Sequence, residues 1–352
     1  MSGWQPEIYQ AAIYGLSGLE LTKNEIAFFN DIQPFGYILF ARNIDNASQL
    51  KDLTNQLRHI SNNPETPILI DQEGGRVARL RPPLMQEHPP ARLYGQIFDN
   101  NIEDGLRACF LGGQLIGHAL SNFGINVNCL PCLDLSFEET SAVIGDRSYG
   151  SAAEKVAQLG MAAAQGLMEA GVLPVMKHLP GHGRGAVDSH LELPVVTAEI
   201  EELKKTDFEP FRLCQNLPLA MTGHLKFSQI DPEHTSTVST KLIREIIREY
   251  IGFDGLLMSD DISMQALSGN ITHRGLASLE AGCDIVLHCN GDFQEMSALG
   301  DKLPRLSEQS QKRLAQIIPL FSSHTPVKHV DKLESEWKEI ISRHFPMPQD
   351  KV

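Results

Sequence analysis

The chain has 352 residues, of which 42% are hydrophobic and 21% are charged. This composition is sufficient for a large buried core and excludes intrinsic disorder as the dominant state. Lys and Arg total 30 against 44 Asp and Glu, a formal net charge of -14 without any Lys/Arg-rich run, which disfavours nucleic acid as a partner because phosphate backbones select basic surfaces.

The N-terminal residues, MSGWQPEIYQ, lack the basic start and the apolar core of a signal peptide. No stretch of about 18 apolar residues predicts a membrane span, and six cysteines are too few for a disulfide scaffold. We therefore expect a cytoplasmic, reduced protein with no membrane partner. Cys129 and Cys132 have the spacing of half a zinc knuckle, but no second such pair occurs, and their apolar flanks (INVNCLPCLDL) favour buried strand positions.

Seven short apolar runs predict β-strands, and stretches with helical periodicity lie between most of them. The runs are residues 35–40, 67–70, 125–135, 172–176, 217–221, 255–258 and 283–287, and the helical stretches are residues 105–123, 152–170, 199–215, 239–250 and 273–281. Apolar strands that alternate with helices indicate an α/β fold whose parallel sheet is covered on both faces. Their number and the uniform composition favour a closed (β/α)8 TIM-type barrel in which one strand stays unidentified.

Two amphipathic segments, residues 308–321 and 331–345, follow the last predicted strand. They predict a C-terminal helical appendage. The expected organisation is a barrel domain over residues 1–303, followed by a helical extension over residues 304–352 that packs on the barrel.

The predicted strands end in ionisable residues. In α/β barrels the C-terminal strand ends and the loops after them form the active site, so consecutive strand ends rich in titratable groups indicate an enzyme rather than a scaffold. Five such ends carry Asp71 with Arg76 and Arg79, Lys177 with the loop to His190, His224, Asp260 with Asp261, and His288 with Asn290.

The segment from Lys177 to His190 (KHLPGHGRGAVDSH) contains Pro180 and three glycines, so it cannot form a helix. We expect a long loop that leaves a strand end and is suited to closing over a substrate. Asp188 stands two residues before His190 and can orient its imidazole and stabilise the charged form. His190 would then donate and accept protons near neutral pH. The alternative is a solvated surface loop in which neither residue has a chemical role.

Strand alternation places Leu256, Met258 and Asp260 on one side of the sixth apolar run and Asp261 on the other. Only one of the two aspartates should therefore face the pocket. If the even-numbered side faces the barrel axis, that residue is Asp260, and Asp261 hydrogen-bonds locally. The alternative is that both aspartates are helix N-caps.

Asp71 shares its parity with Leu69, so it can also face the mouth of the barrel. Arg79, Arg147 and Lys177 are candidate clamps for a polyol or a carboxylate, because Arg offers a planar fork of donors. Surface solvation is the default interpretation for each of them. It fits Lys177 least well, because this residue closes the apolar run VLPVM.

Three motifs, ILIDQEGGRVARL, KHLPGHGRGAVDSH and GLLMSDDISM, occur in this order. They resemble glycoside hydrolase family 3, and within it the bacterial single-domain β-N-acetylglucosaminidases (β-hexosaminidases) of peptidoglycan recycling. The resemblance implies that Asp260 is the nucleophile and that Asp188 and His190 form an acid/base dyad. His288 departs from the family pattern, in which an apolar residue is usual. The substrate-binding positions implied by the resemblance are Asp71, Arg79, Arg147, Lys177 and His178, with Met264 lining the site.

What the resemblance implies is a retaining exo-hydrolase that removes terminal non-reducing N-acetylglucosamine from β-linked cell-wall fragments through a covalent glycosyl-Asp intermediate. The expected partners are small carbohydrate substrates, namely N-acetylglucosaminyl-anhydro-muramyl peptides. A monomer is expected, and no cofactor or metal is required. A phosphorylase of the same family is an alternative, because a His that has given up its proton is neutral and does not repel phosphate.

Other classes of protein fit parts of the pattern. A metal-dependent barrel hydrolase would use His178, His182, His190 and Asp188 as ligands, and chelation would abolish its activity. A Schiff-base aldolase would use Lys177 as its nucleophile. A non-catalytic sugar-binding protein would retain its function when Asp260 is replaced by Asn.

Overall fold

The computed structural model describes residues 3–137, 143–185, 193–322 and 327–345. Eight parallel strands form its central sheet: β1 (Gln10–Gly15), β2 (Pro34–Leu39), β3 (Ile68–Ile70), β6 (Val127–Asn128), β7 (Leu173–Leu179), β9 (Leu219–Thr222), β11 (Leu256–Asp261) and β12 (Ile285–His288). They pair in chain order, and β12 pairs with β1 to close the barrel. This confirms the predicted (β/α)8 TIM-type fold. The strand that the sequence left unidentified is β1.

Four short strands form two small sheets outside the barrel. β4 (Gln72–Gly74) and β5 (Val77–Ala78) make an antiparallel hairpin directly after β3, and β8 (Val195–Val196) pairs in parallel with β10 (Lys226–Phe227). The strand predicted over residues 125–135 is shorter than expected. Only β6 and an isolated bridge between Cys132 and Lys177 pair there, because Pro131 supplies no N–H for a continuous ladder.

Helices surround the barrel: α1 (Lys23–Ile32), α2 (Ala47–Ile60), α3 (Ala91–Asn100), α4 (Ile102–Asn122), α5 (Ala153–Glu169), α6 (Ile200–Lys205), α7 (Glu209–Leu213), a π-helix (Leu242–Tyr250), α8 (Ile271–Ala281), α9 (Phe293–Gly300), α10 (Glu308–Ser322) and α11 (Val330–His344). The helix predicted over residues 199–215 is interrupted between α6 and α7, where Asp207 is buried and binds Arg184. Within the described ranges, no helix combines the length and the apolar character needed to cross a membrane.

The core has two layers, and strand alternation decides which side chain enters which layer. Leu256 and Met258 lie inside the barrel, whereas Leu257 packs between the barrel and the helices. In β3, Leu69 is likewise inside, and Ile68 and Ile70 are outside. Along each strand, every second side chain therefore points into the barrel. At the C-terminal strand ends the side chains in these positions belong to the predicted site.

The N-terminal end of the barrel is closed by residues from both ends of the described chain. Leu314 and Ile317 of α10 join the inner layer together with Trp4, and the rings of Trp4 and Phe321 lie 5.1 Å apart. This packing seals the end of the barrel opposite the predicted site, so that water and ligands reach the interior from the other end.

The last helix, α11, packs on α4 at the outside of the barrel. Trp337 is buried there, Arg107 of α4 holds Glu336 through two hydrogen bonds of 2.7 and 2.8 Å, and His344 lies 2.9 Å from Asp104. Both C-terminal helices are thus packed on the barrel. The division of the chain at residue 303 stays a prediction about domain organisation.

The packing of α10 gives a stability prediction. Leu314→Ala removes a fully buried side chain and should lower the free energy of unfolding by about 2–5 kcal/mol. Leu320→Ala, at a 36% exposed position of the same helix, should cost less than about 0.5 kcal/mol. Urea denaturation of both variants measures this, and equal losses of stability would contradict the burial of Leu314 in the inner layer.

Candidate active site

A cavity of about 270 Å³ opens at the C-terminal ends of the barrel strands. The structure brings together around it every predicted substrate-binding residue and the predicted nucleophile: Asp71, Arg79, Arg147, Lys177, His178, Met264 and Asp260. Asp188 and His190 lie outside the described residues. Residues that are more than a hundred positions apart in the sequence therefore share one pocket.

Lys177 is the centre of the charged part of this pocket. It continues the inner layer formed by Leu173 and Val175 in β7, and its side chain is only 2% exposed. Its Nζ donates to Asp71 Oδ1 and to Glu73 Oε1, both at 2.7 Å. Burial alone would lower the pKa of this ammonium, but the two carboxylates reverse the effect and raise it. The amine is therefore protonated and lacks the lone pair that a Schiff-base aldolase needs.

Two arginines extend the network on either side of Lys177. Arg147 binds Glu73 with both arms of its fork, at 2.9 and 2.8 Å, and Arg79 Nη2 lies 3.3 Å from Asp71 Oδ2. Burial would raise the pKa of Glu73, but Arg147 and Lys177 together hold it well below its usual range. Three cations and two carboxylates thus form one partly buried network, and Glu73 is its only member that was not predicted from the sequence.

Glu73 was missed although the sequence contains a signal for it. It has the same parity as Leu69 and Asp71, and strand alternation continues from β3 into the hairpin strand β4. Its partner Arg147 is 74 residues away, so spacing alone gives no reason to pair them.

A second buried pair orients His178. Its Nδ1 lies 2.6 Å from Asp134 Oδ2, and because a carboxylate only accepts, Nδ1 carries the hydrogen. Asp134 Oδ1 accepts the backbone N–H of His182 at 2.6 Å, and Cys132 Sγ lies 3.3 Å from Oδ2. Burial would raise the pKa of Asp134, but His178 and His182 lower it to about 2. Asp134 was also missed, although an aspartate inside an apolar strand segment signals a buried partner.

Asp260 and Asp261 both line the cavity, so the expectation that only one of them faces it is wrong, but their hydrogen-bonding environments differ. Asp261 accepts hydrogen bonds from the backbone N–H and the hydroxyl of Ser263 at 3.0 and 2.6 Å, and from the N–H of Cys289 at 3.1 Å. Among the described residues, Asp260 accepts one hydrogen bond, at 2.8 Å from the N–H of Asp261. Burial would raise the pKa of Asp260, but the combined effect of His224, His178 and that N–H lowers it. Asp260 is therefore an ionised carboxylate at the cavity, whereas Asp261 is occupied in a turn.

His224 supports the strand end that carries both aspartates. Its Nε2 lies 2.9 Å from the carbonyl oxygen of Asp261 and its Nδ1 lies 2.7 Å from Thr237 Oγ1. The carbonyl requires a donor, so Nε2 carries a hydrogen. Burial lowers the pKa of His224, and its hydrogen bond to the carbonyl fixes the direction of the peptide that follows Asp261.

His288 and the glycine-rich segment complete the list of sequence candidates. His288 is fully buried, packs against Tyr14 and lies 2.9 Å from Glu295, so it belongs to the outer layer rather than to the cavity lining. The stem of the segment after β7 is held by Arg184, which binds Asp207 and Glu202 at 2.7 Å each.

The structure gives a different metal-ligand candidate from the one that the sequence suggested. Within the described ranges, the residues whose ligand atoms converge are Cys132, Asp134 and His178. Only His178 belongs to the predicted set of His178, His182, His190 and Asp188, of which the last two fall outside the described residues.

The chain is similar to known proteins along most of its length. Residues 18–318 match the family described as "Glycosyl hydrolase family 3 N terminal domain". A "Beta-hexosaminidase" of Methylobacillus flagellatus is 34% identical over 304 residues, 85% of this chain and 86% of the relative. Another, of Methylococcus capsulatus, is 37% identical over 340 residues, 94% of this chain and 97% of the relative. The solved structure of NagZ from Neisseria gonorrhoeae in complex with N-trifluoroacetyl-D-glucosamine has a TM-score of 0.84 at 30% identity, covering 96% of this chain and 99% of that one.

The buried network gives a prediction for Glu73. Glu73→Gln keeps the shape but leaves Lys177 and Arg147 with one carboxylate fewer, so the free energy of unfolding should fall by about 3 kcal/mol. Asp146→Asn removes one of the partners of Arg76, in a pair whose Asp146 and Arg76 side chains are 40% and 48% exposed, and should cost less than about 1 kcal/mol. Chemical denaturation near neutral pH measures both changes. A smaller loss of unfolding free energy for Glu73→Gln than for Asp146→Asn would refute the prediction.

A second prediction concerns acid stability. His88 lies behind the hairpin β4–β5, where its carbonyl accepts the N–H of Gly75 at 2.8 Å, and burial lowers its pKa from 6.5 to about 4. Because the folded state binds this proton less readily than the unfolded state, His88 opposes folding increasingly as the pH falls below 6.5. Between pH 6.5 and about pH 4.5 the free energy of unfolding should fall by about 2 kcal/mol more in the wild type than in His88→Asn.

Denaturant titrations at the two pH values measure this difference. His273→Asn, at an exposed position of α8, serves as the control and should keep the wild-type pH dependence. Parallel pH dependences in wild type and His88→Asn would show that His88 does not carry the effect.

Proposed function

Because the chain belongs to glycoside hydrolase family 3 and is a glycoside hydrolase of the β-hexosaminidase type, we propose that it is a retaining exo-β-N-acetylglucosaminidase. The observation that carries the proposal is the ionised carboxylate of Asp260 at a cavity that residues of the Lys177 network also line. A retaining glycosidase needs a carboxylate nucleophile beside groups that bind the sugar.

Asp260 attacks the anomeric carbon and forms a covalent glycosyl-enzyme. Its lowered pKa keeps it ionised at neutral pH, and its position on the inner face of β11 directs it to the cavity. Asp261 is the less suitable nucleophile, because three hydrogen bonds already occupy its oxygens.

The sugar is bound by the network around Lys177. Asp71 offers carboxylate oxygens as acceptors for sugar hydroxyls, and Lys177 and Arg79 offer donors beside them. His178, with its Nδ1 hydrogen on Asp134, presents Nε2 to the cavity as an acceptor when the ring is neutral. Met264 adds an apolar wall. Acceptors and donors placed side by side suit the alternating hydroxyls of a pyranose ring.

We assign the acid/base role to His190, with Asp188 orienting its ring, because the Asp188-Ser189-His190 motif resembles that of glycoside hydrolase family 3. Protonated His190 gives its proton to the departing glycosidic oxygen, and the neutral ring then takes a proton from the water that releases the sugar from Asp260. Support from the described residues comes from the stem of this segment, which Arg184 fastens to Asp207 and Glu202.

An N-acetylated glucosamine is the preferred terminal sugar in this proposal. The relatives are named β-hexosaminidases, and the Neisseria structure holds an N-acylated glucosamine. On the motif resemblance, the proposal extends to muropeptide substrates, in particular N-acetylglucosaminyl-anhydro-muramyl peptides, and to a monomeric enzyme in the cytoplasm.

The nucleophile assignment predicts a contrast between neighbouring residues. Asp260→Asn should lower kcat on a chromogenic β-N-acetylglucosaminide on the order of 10³-fold or more, because an amide cannot form the glycosyl ester. Asp261→Asn should retain more activity and lose stability instead, because its oxygens hold a turn. Initial rates and denaturation curves of both variants check this, and a more active Asp260→Asn than Asp261→Asn would overturn the assignment.

The same assay separates the rival functions. Hydrolysis that is unchanged by EDTA agrees with the proposal, whereas its abolition points to a metal-dependent hydrolase. Free N-acetylglucosamine released in phosphate buffer agrees with a hydrolase, whereas a sugar phosphate would identify a phosphorylase.

A further inference from the structure

A buried sulfur, oxygen and nitrogen converge on the side of His178 that faces away from the cavity. Ligand atoms of Cys132, Asp134 and His178 all lie within 4.8 Å of one another, and the three residues are 1%, 0% and 7% exposed. We propose that these three residues form an inhibitory binding site for a thiophilic divalent cation such as Zn²⁺. The inhibitory part rests on the proposed function, because it requires that His178 contacts the sugar.

The backbone explains why these residues meet. Cys132 forms a bridge with Lys177, and the N–H of Leu133 donates to the carbonyl of Lys177 at 2.8 Å. The segment after β6 therefore runs beside the C-terminal half of β7 and places Cys132 and Asp134 against His178. The other thiol of the Cys-x-x-Cys pair, Cys129, lies in the inner core layer instead. The pair is thus not a zinc knuckle, and only its second cysteine joins the cluster.

The donor set and its dimensions suit zinc. Zinc takes thiolate, imidazole and carboxylate ligands at about 2.0–2.3 Å, so tetrahedral ligand atoms lie about 3.3–3.5 Å apart. Cys132 Sγ is already 3.3 Å from Asp134 Oδ2, whereas His178 Nδ1 is 2.6 Å from the same oxygen. The imidazole must therefore move outward by about 0.7 Å, and because His178 borders the cavity, its ring has space to do so. A water is the fourth ligand of the tetrahedral ion.

Charge and protons balance in this site. The thiol of Cys132 releases its proton to solvent, so that thiolate, Asp134 carboxylate and Zn²⁺ sum to zero, and no uncompensated charge is buried. The imidazole must coordinate through a bare Nδ1, which moves its hydrogen from Nδ1 to Nε2. The nitrogen that faces the cavity then changes from acceptor to donor. A sugar hydroxyl that donates to His178 loses its partner, which is why the ion inhibits.

Cobalt provides the probe for binding, because a thiolate ligand gives Co²⁺ a charge-transfer absorption. Reduced, EDTA-treated full-length protein is titrated with Co²⁺ and then with Zn²⁺. The wild type and Cys129→Val, a matched thiol outside the cluster, should show the band with one equivalent of Co²⁺ and lose it to Zn²⁺. Cys132→Val should not show it. Cys132→Ser is the second variant if the valine form does not fold, since a hydroxyl gives no thiolate band. A missing band in the wild type, or a band that persists without Cys132, overturns the site.

Inhibition is measured separately, each variant being compared with its own metal-free rate. The Zn²⁺ concentration for half inhibition should rise about tenfold or more in Cys132→Val and stay unchanged in Cys129→Val. An equal sensitivity of both variants would show that zinc acts elsewhere and would refute the inhibitory role. A failure of the proposed function would appear differently, as absent hydrolysis in the metal-free wild type, while the cobalt spectrum would still report the site.

Discussion

A fully buried, protonated lysine held between two carboxylates is the constraint on which the rest of the site depends. An ionised amine in the barrel interior is unfavourable unless it is paired, and Lys177 is paired with Asp71 and Glu73. Because Asp71 and Glu73 follow β3 while Lys177 belongs to β7, the network ties separate strand ends together. It also places positive charge near Asp260, where Lys177 contributes to lowering the pKa of the nucleophile candidate.

The barrel beneath the site makes this concentration of charge tolerable. The inner layer of apolar side chains and the packing of α10 close the barrel below the cavity, so the charged groups of the site border the cavity at the other end. Tethers from outside the strands then hold the groups in position: Asp134 fixes His178, His224 fixes the peptide after Asp261, and Arg184 fastens the stem of the segment that leads to the proposed dyad. The thiol of Cys132 contacts Asp134, so the contact between Asp134 and His178 is the one of these three that we propose to respond to a thiophilic metal ion.

Much of this architecture could be predicted from the sequence, because successive side chains of a β-strand point to opposite faces of the sheet. Strand parity placed Asp71 and Asp260 at the cavity, but it wrongly excluded Asp261, which also lines the cavity. The apolar runs predicted seven of the eight barrel strands. β1 was missed because its residues, QAAIYG, mix small and polar side chains with few β-branched ones. Glu73 and Asp134 were missed for a different reason. Their partners lie 74 and 44 residues away, and one sequence does not report tertiary contacts of that kind.

The most direct test of the account is to identify the residue that becomes covalently bonded to the sugar. Incubation with a fluorinated N-acetylglucosamine analogue that slows release of the glycosyl-enzyme, followed by proteolysis and mass spectrometry, locates the bond. The account predicts a sugar-sized mass increase on the peptide that contains Asp260, and fragmentation that assigns it to this carboxylate. An adduct on Asp261 or on a distant residue, or no adduct on an enzyme that turns over the parent substrate, would contradict it.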